Sequence, residues 1–240
     1  MKQKLYLSTA YLDDLMVRMA HHSTAIEGNS LTQGETKSVL IDGYVPRAID
    51  LRELNEVLNY KAFTKEMVRF LKEEREVNCE FIKEIHSILC REAIESVPGK
   101  FKTQPNMVIG ADFMPSPPYR VPMDIEQWRQ DLDYQLKNAA NARTMVEAIC
   151  RQHFRFERIH PFPDGNGRVG RALMVYSALQ QKLPPIVIPV NEKKKYINFL
   201  NTEDLNGFVE FCLALQQKEV ERIKILADER DKVLEIYTEE

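Results

Sequence analysis

A twelve-residue stretch, HPFPDGNGRVGR at residues 160–171, combines an imidazole, a carboxylate, three glycines and two guanidiniums. Its prolines favour extended backbone at the residues that precede them. The glycine-rich residues after Asp164 indicate the first turn of a new helix, where free N–H groups bind anions and glycine lets a ligand approach the backbone closely. The residue types therefore predict an anion-binding loop at a helix N-terminus.

The charged residues of this stretch indicate a metal-bound nucleotide as the anion. Arg168 and Arg171 are three positions apart, hence neighbours on one helix turn, and each presents a fork of donors that suits phosphate oxygens. A carboxylate repels a polyphosphate unless a divalent cation lies between them, and Mg²⁺ typically takes one or two protein carboxylates plus phosphate oxygens. We therefore expect Asp164 to hold magnesium. His160 can accept a proton from a hydroxyl or water that attacks phosphorus, so the residues alone predict metal-assisted phosphoryl or nucleotidyl transfer.

The composition is that of a soluble globular protein with one sizeable core, since 44% of its 240 residues are hydrophobic and 29% are charged. A net charge of -3 gives no general attraction to nucleic acid or to an anionic membrane, so we expect neither as a partner. Four widely spaced cysteines without a CxxC pair indicate reduced, buried thiols. The sequence shows no signal-peptide-like apolar run and no stretch of about 18 apolar residues. We expect a cytoplasmic protein without a membrane span.

Helical periodicity predominates along the chain, and it predicts a mainly α fold in a single globular domain. Residues 99–122 interrupt it with five prolines and a short β-prone run at Met107–Ile109, which predicts an exposed β-hairpin. Residues 182–190 must be extended, because their prolines exclude a helix interior. Two predicted helices end near Glu27 and at Asp42, and two further ones start at Asp50 and near Asn78. The remaining helices are predicted over about 123–138, 142–158, 166–181 and 205–237.

The opening stretch resembles the signature of the Fic family, HxFx(D/E)GNGRxxR. Fic proteins are mostly α-helical enzymes that generally transfer AMP from ATP to a Ser, Thr or Tyr hydroxyl of a target protein and release pyrophosphate. The resemblance implies that the histidine is the general base, that the aspartate is the magnesium ligand, that the GNG segment cradles the phosphates and that both arginines hold the triphosphate. It also implies a helical bundle with a small β-hairpin flap. The matched positions are His160, Phe162, Asp164, Gly165, Asn166, Gly167, Arg168 and Arg171.

Two further segments resemble parts of Fic proteins that contact the target and the base. The segment 99–122 is similar to the flap that pairs with the target backbone, and we place its edge at Val108, Ile109 and Gly110. The segment NEKKKYINFL resembles one that holds adenine, which implies base contacts from Asn191 and Tyr196. Relatives often have two adjacent tyrosines there, whereas a lysine precedes the tyrosine here. The lysines at 193–195 predict a solvated turn.

A third segment, STAIEGN at residues 23–29, resembles the inhibitory motif (S/T)xxxE(G/N) of the family at Ser23, Glu27 and Gly28. The resemblance implies an inhibitory helix at residues 1–30 that packs on a Fic domain at 31–240. A glutamate at the end of that helix can pair with Arg171 and occupy the donors that the γ-phosphate would use.

The sequence therefore predicts a self-inhibited protein adenylyltransferase that uses ATP, magnesium and a protein target with a hydroxyl side chain. Two alternatives stay open. A glutamate-dependent enzyme of this family could remove AMP from modified targets, and a nucleotide-sensing module could bind ATP without chemistry in the cell. Self-modification and homo-oligomer formation are also left open.

Overall fold

The computed structural model describes residues 2–108, 113–228 and 230–239 of the chain, and most of these residues are helical. Two strands, β1 Lys2–Leu7 and β2 Leu234–Glu239, form an antiparallel sheet. No helix within the described ranges has an apolar stretch long enough to cross a bilayer. The α-helices are α1 Thr9–Ile26, α2 Gln33–Lys37, α3 Leu51–Lys72, α4 Cys79–Leu89, α5 Val121–Lys137, α6 Ala142–Ile159, α7 Asn166–Gln180, α8 Lys193–Thr202 and α9 Leu205–Ile225.

Side-chain caps fix where several of these helices begin. A capping box begins α2, where Thr32 accepts a hydrogen bond from the backbone N–H of Glu35 and the Glu35 carboxylate accepts one from that of Thr32. The Asp50 side chain accepts hydrogen bonds from backbone N–H groups at the start of α3, and the Asn141 side chain accepts one at the start of α6. Because such a cap typically contributes about 1 kcal/mol, these residues set the helix starts that position the site.

Helix α7 lies at the centre of the fold. Every residue from 168 to 179 is buried, and the helix packs against α1, α3, α4 and α6. Its apolar residues, among them Val169, Leu173 and Tyr176, are part of the core, and the buried Arg168 and Arg171 lie near its N-terminus. The N-terminus of α7, which carries the GNG segment, is therefore held by four surrounding helices.

The ends of the described chain pair with each other, so the prediction of a helix over 205–237 is wrong. Helix α9 ends at Ile225, and β2 then pairs with β1 so that Leu5 lies opposite Ile236 and Leu7 opposite Leu234. Leu234 and Ile236 lie two residues apart on one face of β2, which is the period of a strand. Ile236 is fully buried under this sheet.

The predicted β-hairpin does not form within the described part of 99–122. Residues 101–108 and 113–117 contain no strand, and Ile109 and Gly110 lie outside the described residues. Prolines provide no N–H for a strand ladder, and this segment contacts the loop after α6 instead. The backbone N–H of Lys102 donates to Pro161 O at 2.9 Å, and that of Ser116 donates to Arg158 O at 3.3 Å.

The lysine run at 193–195 opens helix α8 and does not form the predicted turn. The three lysines are exposed, as expected for a solvated segment. Tyr196 and Phe199, three residues apart on the opposite face, are buried. Helix α8 packs against α9 and carries Tyr196 to the site described below.

Candidate active site

The loop between α6 and α7, residues 160–165, holds its backbone in two unusual conformations. His160 ends α6 in the left-handed region with φ 48° and ψ 60°, and its N–H donates to Phe156 O at 2.9 Å. Gly165 begins α7 with φ 77°, and a Cβ atom there would overlap the sulfur of Cys90. A non-glycine residue held in the left-handed region costs of order 1–3 kcal/mol, so the surrounding contacts must hold His160 in this geometry.

Buried side chains fix this loop from one side. The Phe162 ring is fully buried and stacks on His86 of α4, with ring centroids 3.8 Å apart. Nδ1 of His86 accepts a hydrogen bond from the N–H of Gly99 at 2.7 Å, so Nε2 carries the proton that is donated to Asp164 O at 3.0 Å. Burial lowers the pKa of His86 to about 4. Phe162 therefore anchors the loop in the core, with His86 as its stacking partner.

A cavity of about 660 Å³ opens next to this loop. Its volume is within the range of pockets that bind small molecules and cofactors. The predicted site residues in its wall are Glu27, Val108, His160, Asp164, Gly167, Arg171 and Tyr196. The structure therefore brings the end of α1, the loop 160–165, the first turns of α7 and helix α8 together around one space. The predicted residues outside its wall are Ser23, Gly28, Gly165, Asn166, Arg168 and Asn191.

The Arg171 guanidinium is held by residues at the end of α1. Its Nη2 donates to Glu27 Oε1 at 2.6 Å and to Ser23 O at 2.9 Å, and its Nε donates to Ser23 Oγ at 2.8 Å. Burial opposes ionisation of Glu27, but the charge and hydrogen bond of Arg171 outweigh it and lower the pKa of the carboxyl. A Cβ at Gly167 would overlap Glu27 Oε1, so the glycine lets this carboxylate reach the guanidinium. Glu27 thus occupies a donor group of Arg171, and both residues lie in the cavity wall.

The imidazole of His160 is neutral at pH 7. Burial and the charge of Lys102 together lower its pKa to about 4, although Glu27 and Asp164 act in the opposite direction. Its Nδ1 atom is buried and has no hydrogen-bond partner within the described ranges. A neutral imidazole in a cavity wall is able to accept a proton from a bound hydroxyl group.

The loop and its surroundings match a known domain family. The model described as the Fic/DOC family matches residues 76–178, which include the whole signature stretch. Residues 76–178 are a Fic domain. Glu27 and helix α1 precede the matched range, so the residue that occupies Arg171 comes from outside the family model.

Curated relatives extend the similarity beyond the Fic domain. The chain is 30% identical to "Protein adenylyltransferase fic-1" of Caenorhabditis briggsae over 84% of its length and 40% of that protein's. It is 28% identical to "Protein adenylyltransferase Fic" of Drosophila grimshawi, with 90% of this chain and 42% of that protein covered. The chain thus spans about two fifths of the length of these relatives.

Solved structures show the same fold. A Fic domain containing signaling protein from Bacteroides thetaiotaomicron superposes with a TM-score of 0.81 at 24% identity, over 95% of this chain and 90% of that one. Fic-1 of Caenorhabditis elegans superposes with a TM-score of 0.74 at 27% identity, over 92% of this chain and 66% of that one. The helical arrangement, including α1, therefore recurs outside this chain.

Two polar residues of the Fic signature point away from the cavity. The side chain of Asn166 binds the loop itself, because its Oδ1 accepts from Phe162 N and its Nδ2 donates to Phe162 O, both at 2.8 Å. Arg168 is 3% exposed, and its Nη1 lies 3.6 Å from Oε1 of Glu56 on α3 while its Nη2 lies 3.5 Å from Asp164 Oδ1. The hydrogen bonds of Asn166 fix the backbone of the loop. The burial of Arg168 leaves Arg171 as the signature arginine in the cavity wall.

The side of the cavity formed by α8 is more apolar than the loop side. Tyr196 lies in the wall with Ile197 and Leu200, and its hydroxyl is 2.8 Å from Nε2 of the buried His153. His153 is therefore a packed core imidazole. Asn191, the other predicted base contact, is exposed and lies outside the wall.

Sequence reasoning missed several residues that support the site. Glu157 lies in the cavity wall, and burial raises its pKa to about 7 although the charge of Arg171 opposes this shift. Glu157 precedes His160 by less than one helix turn, so its nearness to the signature was a usable signal. Glu56, Lys102 and Asn106 carried no such signal, because they are far from the signature in sequence.

Proposed function

We propose that this protein is a self-inhibited protein adenylyltransferase, which transfers AMP from ATP to a Ser, Thr or Tyr hydroxyl of a target protein. One observation carries the proposal: a neutral His160 and an Arg171 guanidinium, held by Glu27, line the same cavity. The curated relatives named protein adenylyltransferase support the choice of AMP as the transferred group.

The triphosphate of ATP binds at the N-terminus of α7. Backbone N–H groups at Gly167 have no partner from the preceding turn of their own helix, and a helix N-terminus attracts phosphate. Arg171 adds two forked donors once Glu27 has moved away. Adenine lies on the apolar side of the cavity next to Tyr196.

The residues present fit a magnesium ion that arrives with the phosphates. Asp164 lines the cavity with 60% of its side chain exposed. The described residues contain no group of three or more His, Cys, Asp or Glu side chains that could hold an ion without other ligands. One carboxylate plus phosphate oxygens and waters is a common magnesium site. When bound, the ion neutralises charge on the phosphates.

His160 acts as the general base of the transfer. It accepts the proton of the target hydroxyl while the hydroxyl oxygen forms a bond to the α-phosphorus and the bond to pyrophosphate breaks. The low pKa of His160, caused by burial and by Lys102, keeps the ring unprotonated before the reaction. The target segment docks along the edge predicted at Val108, Ile109 and Gly110, of which Val108 lines the cavity and the other two lie outside the described residues.

Removal of AMP from a modified target is a second candidate, and the position of Glu27 favours it. Its carboxylate lies in the wall of the same cavity as His160, and 42% of its side chain is exposed. A carboxylate in this place can orient a water for attack on the phosphorus of a bound AMP group. Hydrolysis would then depend on Glu27, whereas transfer would be suppressed by it.

Label transfer from ATP that carries the isotope on the α-phosphate tests both candidates. The chain, Glu27→Gly and the double variant Glu27→Gly/His160→Ala are incubated with magnesium and host lysate. Transfer by Glu27→Gly alone supports the adenylyltransferase. Loss of AMP from a labelled target by the unmodified chain and not by Glu27→Gly supports the hydrolase. If Glu27→Gly binds ATP but transfers no label to target or to itself, a nucleotide-sensing module explains the site better.

A further inference from the structure

Lys102 is a buried lysine that takes no direct part in the proposed transfer. Its side chain is 3% exposed, and its Nζ donates to Asn106 Oδ1 at 2.6 Å and to Ile159 O at 3.3 Å. Its backbone N–H donates to Pro161 O at 2.9 Å. One residue therefore binds the chain directly before and directly after His160.

Asn106 completes this set of contacts. Its Nδ2 donates to Phe162 O at 2.8 Å and to His160 O at 3.4 Å. Together with Lys102 it thus binds the carbonyl oxygens of four consecutive residues, 159–162. Carbonyl groups at the end of a helix have no partner within the helix, and a cation near a helix C-terminus is favourable. The two side chains satisfy both needs at the end of α6.

The backbone at the centre of these contacts is the one that requires support. His160 has φ 48°, which a residue with a side chain adopts only when its surroundings enforce it. His86 and Asn166 hold the loop from Phe162 onward, whereas Lys102 and Asn106 bind the residues on both sides of His160.

We propose that Lys102 and Asn106 are positioning residues for His160: they hold the carbonyl groups of residues 159–162, and Lys102 places a positive charge at the carbonyl group directly before His160. The proposal rests on the function proposed for His160. It assigns different effects to the two residues, because Asn106 positions the ring through hydrogen bonds alone and Lys102 adds a charge.

The electrostatics of the ring agree with this arrangement. Burial and the charge of Lys102 lower the pKa of His160 to about 4. Burial also lowers the pKa of Lys102 to about 8, so its ammonium group is mostly charged at pH 7 and loses its proton as the pH rises through 8. The charged or titratable side chains that share the cavity with His160 are Glu27, Glu157, Arg158, Asp164, Arg171 and Lys193.

An NMR titration of the His160 ring tests the charge. The Cε1–H signal is followed against pH in the full chain without nucleotide or magnesium, and it is assigned by its loss in His160→Gln. Lys102→Gln keeps a hydrogen-bond donor without the charge, Lys102→Met removes both, and Lys102→Arg keeps the charge. We expect both neutral variants to raise the midpoint by about one pH unit or more, and Lys102→Arg to stay within about 0.3 unit of the parent. Lys100→Met, which removes an exposed charge from the same segment, is the control and should leave the midpoint unchanged.

Label transfer in the Glu27→Gly background tests the positioning. Asn106→Ala keeps the charge, so we expect its kcat to fall about 10- to 100-fold while KM for ATP and the His160 midpoint stay near those of the parent. Equal midpoints in Lys102→Gln and Lys100→Met would overturn the charge effect, and full transfer by Asn106→Ala would overturn the positioning. If Lys102→Met does not fold, the His160 midpoints of Lys102→Gln and Lys102→Arg are compared to decide the charge effect. If the Glu27→Gly parent transfers no label, the proposed function fails, whereas the titration still decides the effect of Lys102.

Discussion

Replacing Glu27 with glycine should strengthen ATP binding, because it frees Arg171. The substitution removes one hydrogen bond of 2.6 Å from the guanidinium and leaves its two contacts with Ser23. A hydrogen bond to a charged group contributes about 1.5–3 kcal/mol. Because 42% of the Glu27 side chain is exposed, water screens the pair. We therefore assign this hydrogen bond about 2 kcal/mol, a value from the lower half of that range. Since 1.4 kcal/mol corresponds to a factor of ten, ATP should bind about 30-fold more tightly.

Isothermal titration calorimetry with ATP and magnesium measures this change. Glu27→Gln, which keeps the size and one acceptor oxygen, should lie between the parent and Glu27→Gly. Glu147→Gln is the matched control, because Glu147 pairs with Arg151 at 2.7 Å on the exposed face of α6, away from the cavity. The reasoning is refuted if Glu27→Gly binds ATP within about threefold of the parent, a difference below 1 kcal/mol, or if the control gains as much affinity.

Three further predictions concern the loop, the attachment of α1 and pH. Gly165→Ala adds left-handed strain and an overlap with Cys90, so it should cost about 2–4 kcal/mol and lower Tm by about 5–15 °C, and Cys90→Ala in the same chain should restore part of the loss. Glu219→Ala removes one of the two carboxylates that pair with the buried Arg18 guanidinium and leaves its pair with Asp14, so it should cost about 3 kcal/mol in urea unfolding, the lower end of the range for a broken buried pair; a loss below about 1 kcal/mol would contradict a buried pair. Because the pKa of Glu27 is lowered, its pairing with Arg171 is present at neutral pH and is lost only as the pH falls through that lowered value. The ratio of label transfer by the parent to label transfer by Glu27→Gly should therefore not rise between pH 7.5 and 5.5.

The helices were predictable where their signals are local. Apolar residues three and four positions apart, together with N-cap residues, lie within one segment, so α1, α3, α5, α6 and α7 follow from the sequence within a few residues. Strand β2 exists because it pairs with β1, which lies more than 220 residues earlier, and no local window contains that partner. The apolar residues that follow α9 therefore read as a continuation of the helix.

The same distinction applies to the site. The signature residues lie within twelve positions, so their chemistry could be derived before the structure, and the pairing of Glu27 with Arg171 followed from the resemblance. The residues that hold the loop are 54 to 78 positions upstream: Asn106 binds His160 O, and His86 binds Asp164 O. The side chains of an asparagine and a histidine at these positions can make many different local contacts, and only the fold shows which backbone atoms they bind.

The attachments of α1 decide what kind of movement can release Arg171. Arg18 donates to Glu219 of α9 at 3.0 Å, and Tyr11 donates to the same carboxylate at 2.6 Å, so the first half of the helix is fixed by a buried network. Beyond the helix end, Asn29 Nδ2 donates to Glu56 Oε2 at 2.8 Å.

Glu27 lies between these two fixed points, nine residues or about 13 Å along the helix from Arg18. A swing of the whole helix would break both attachments, whereas a rotation of the half-exposed Glu27 side chain breaks only the Glu27–Arg171 pair. Deleting α1 would therefore confound the loss of inhibition with loss of the buried network, because the free energy of unfolding and the ATP affinity would change together. A substitution at Glu27 changes the affinity while the network stays intact, and it is the perturbation from which inhibition can be measured.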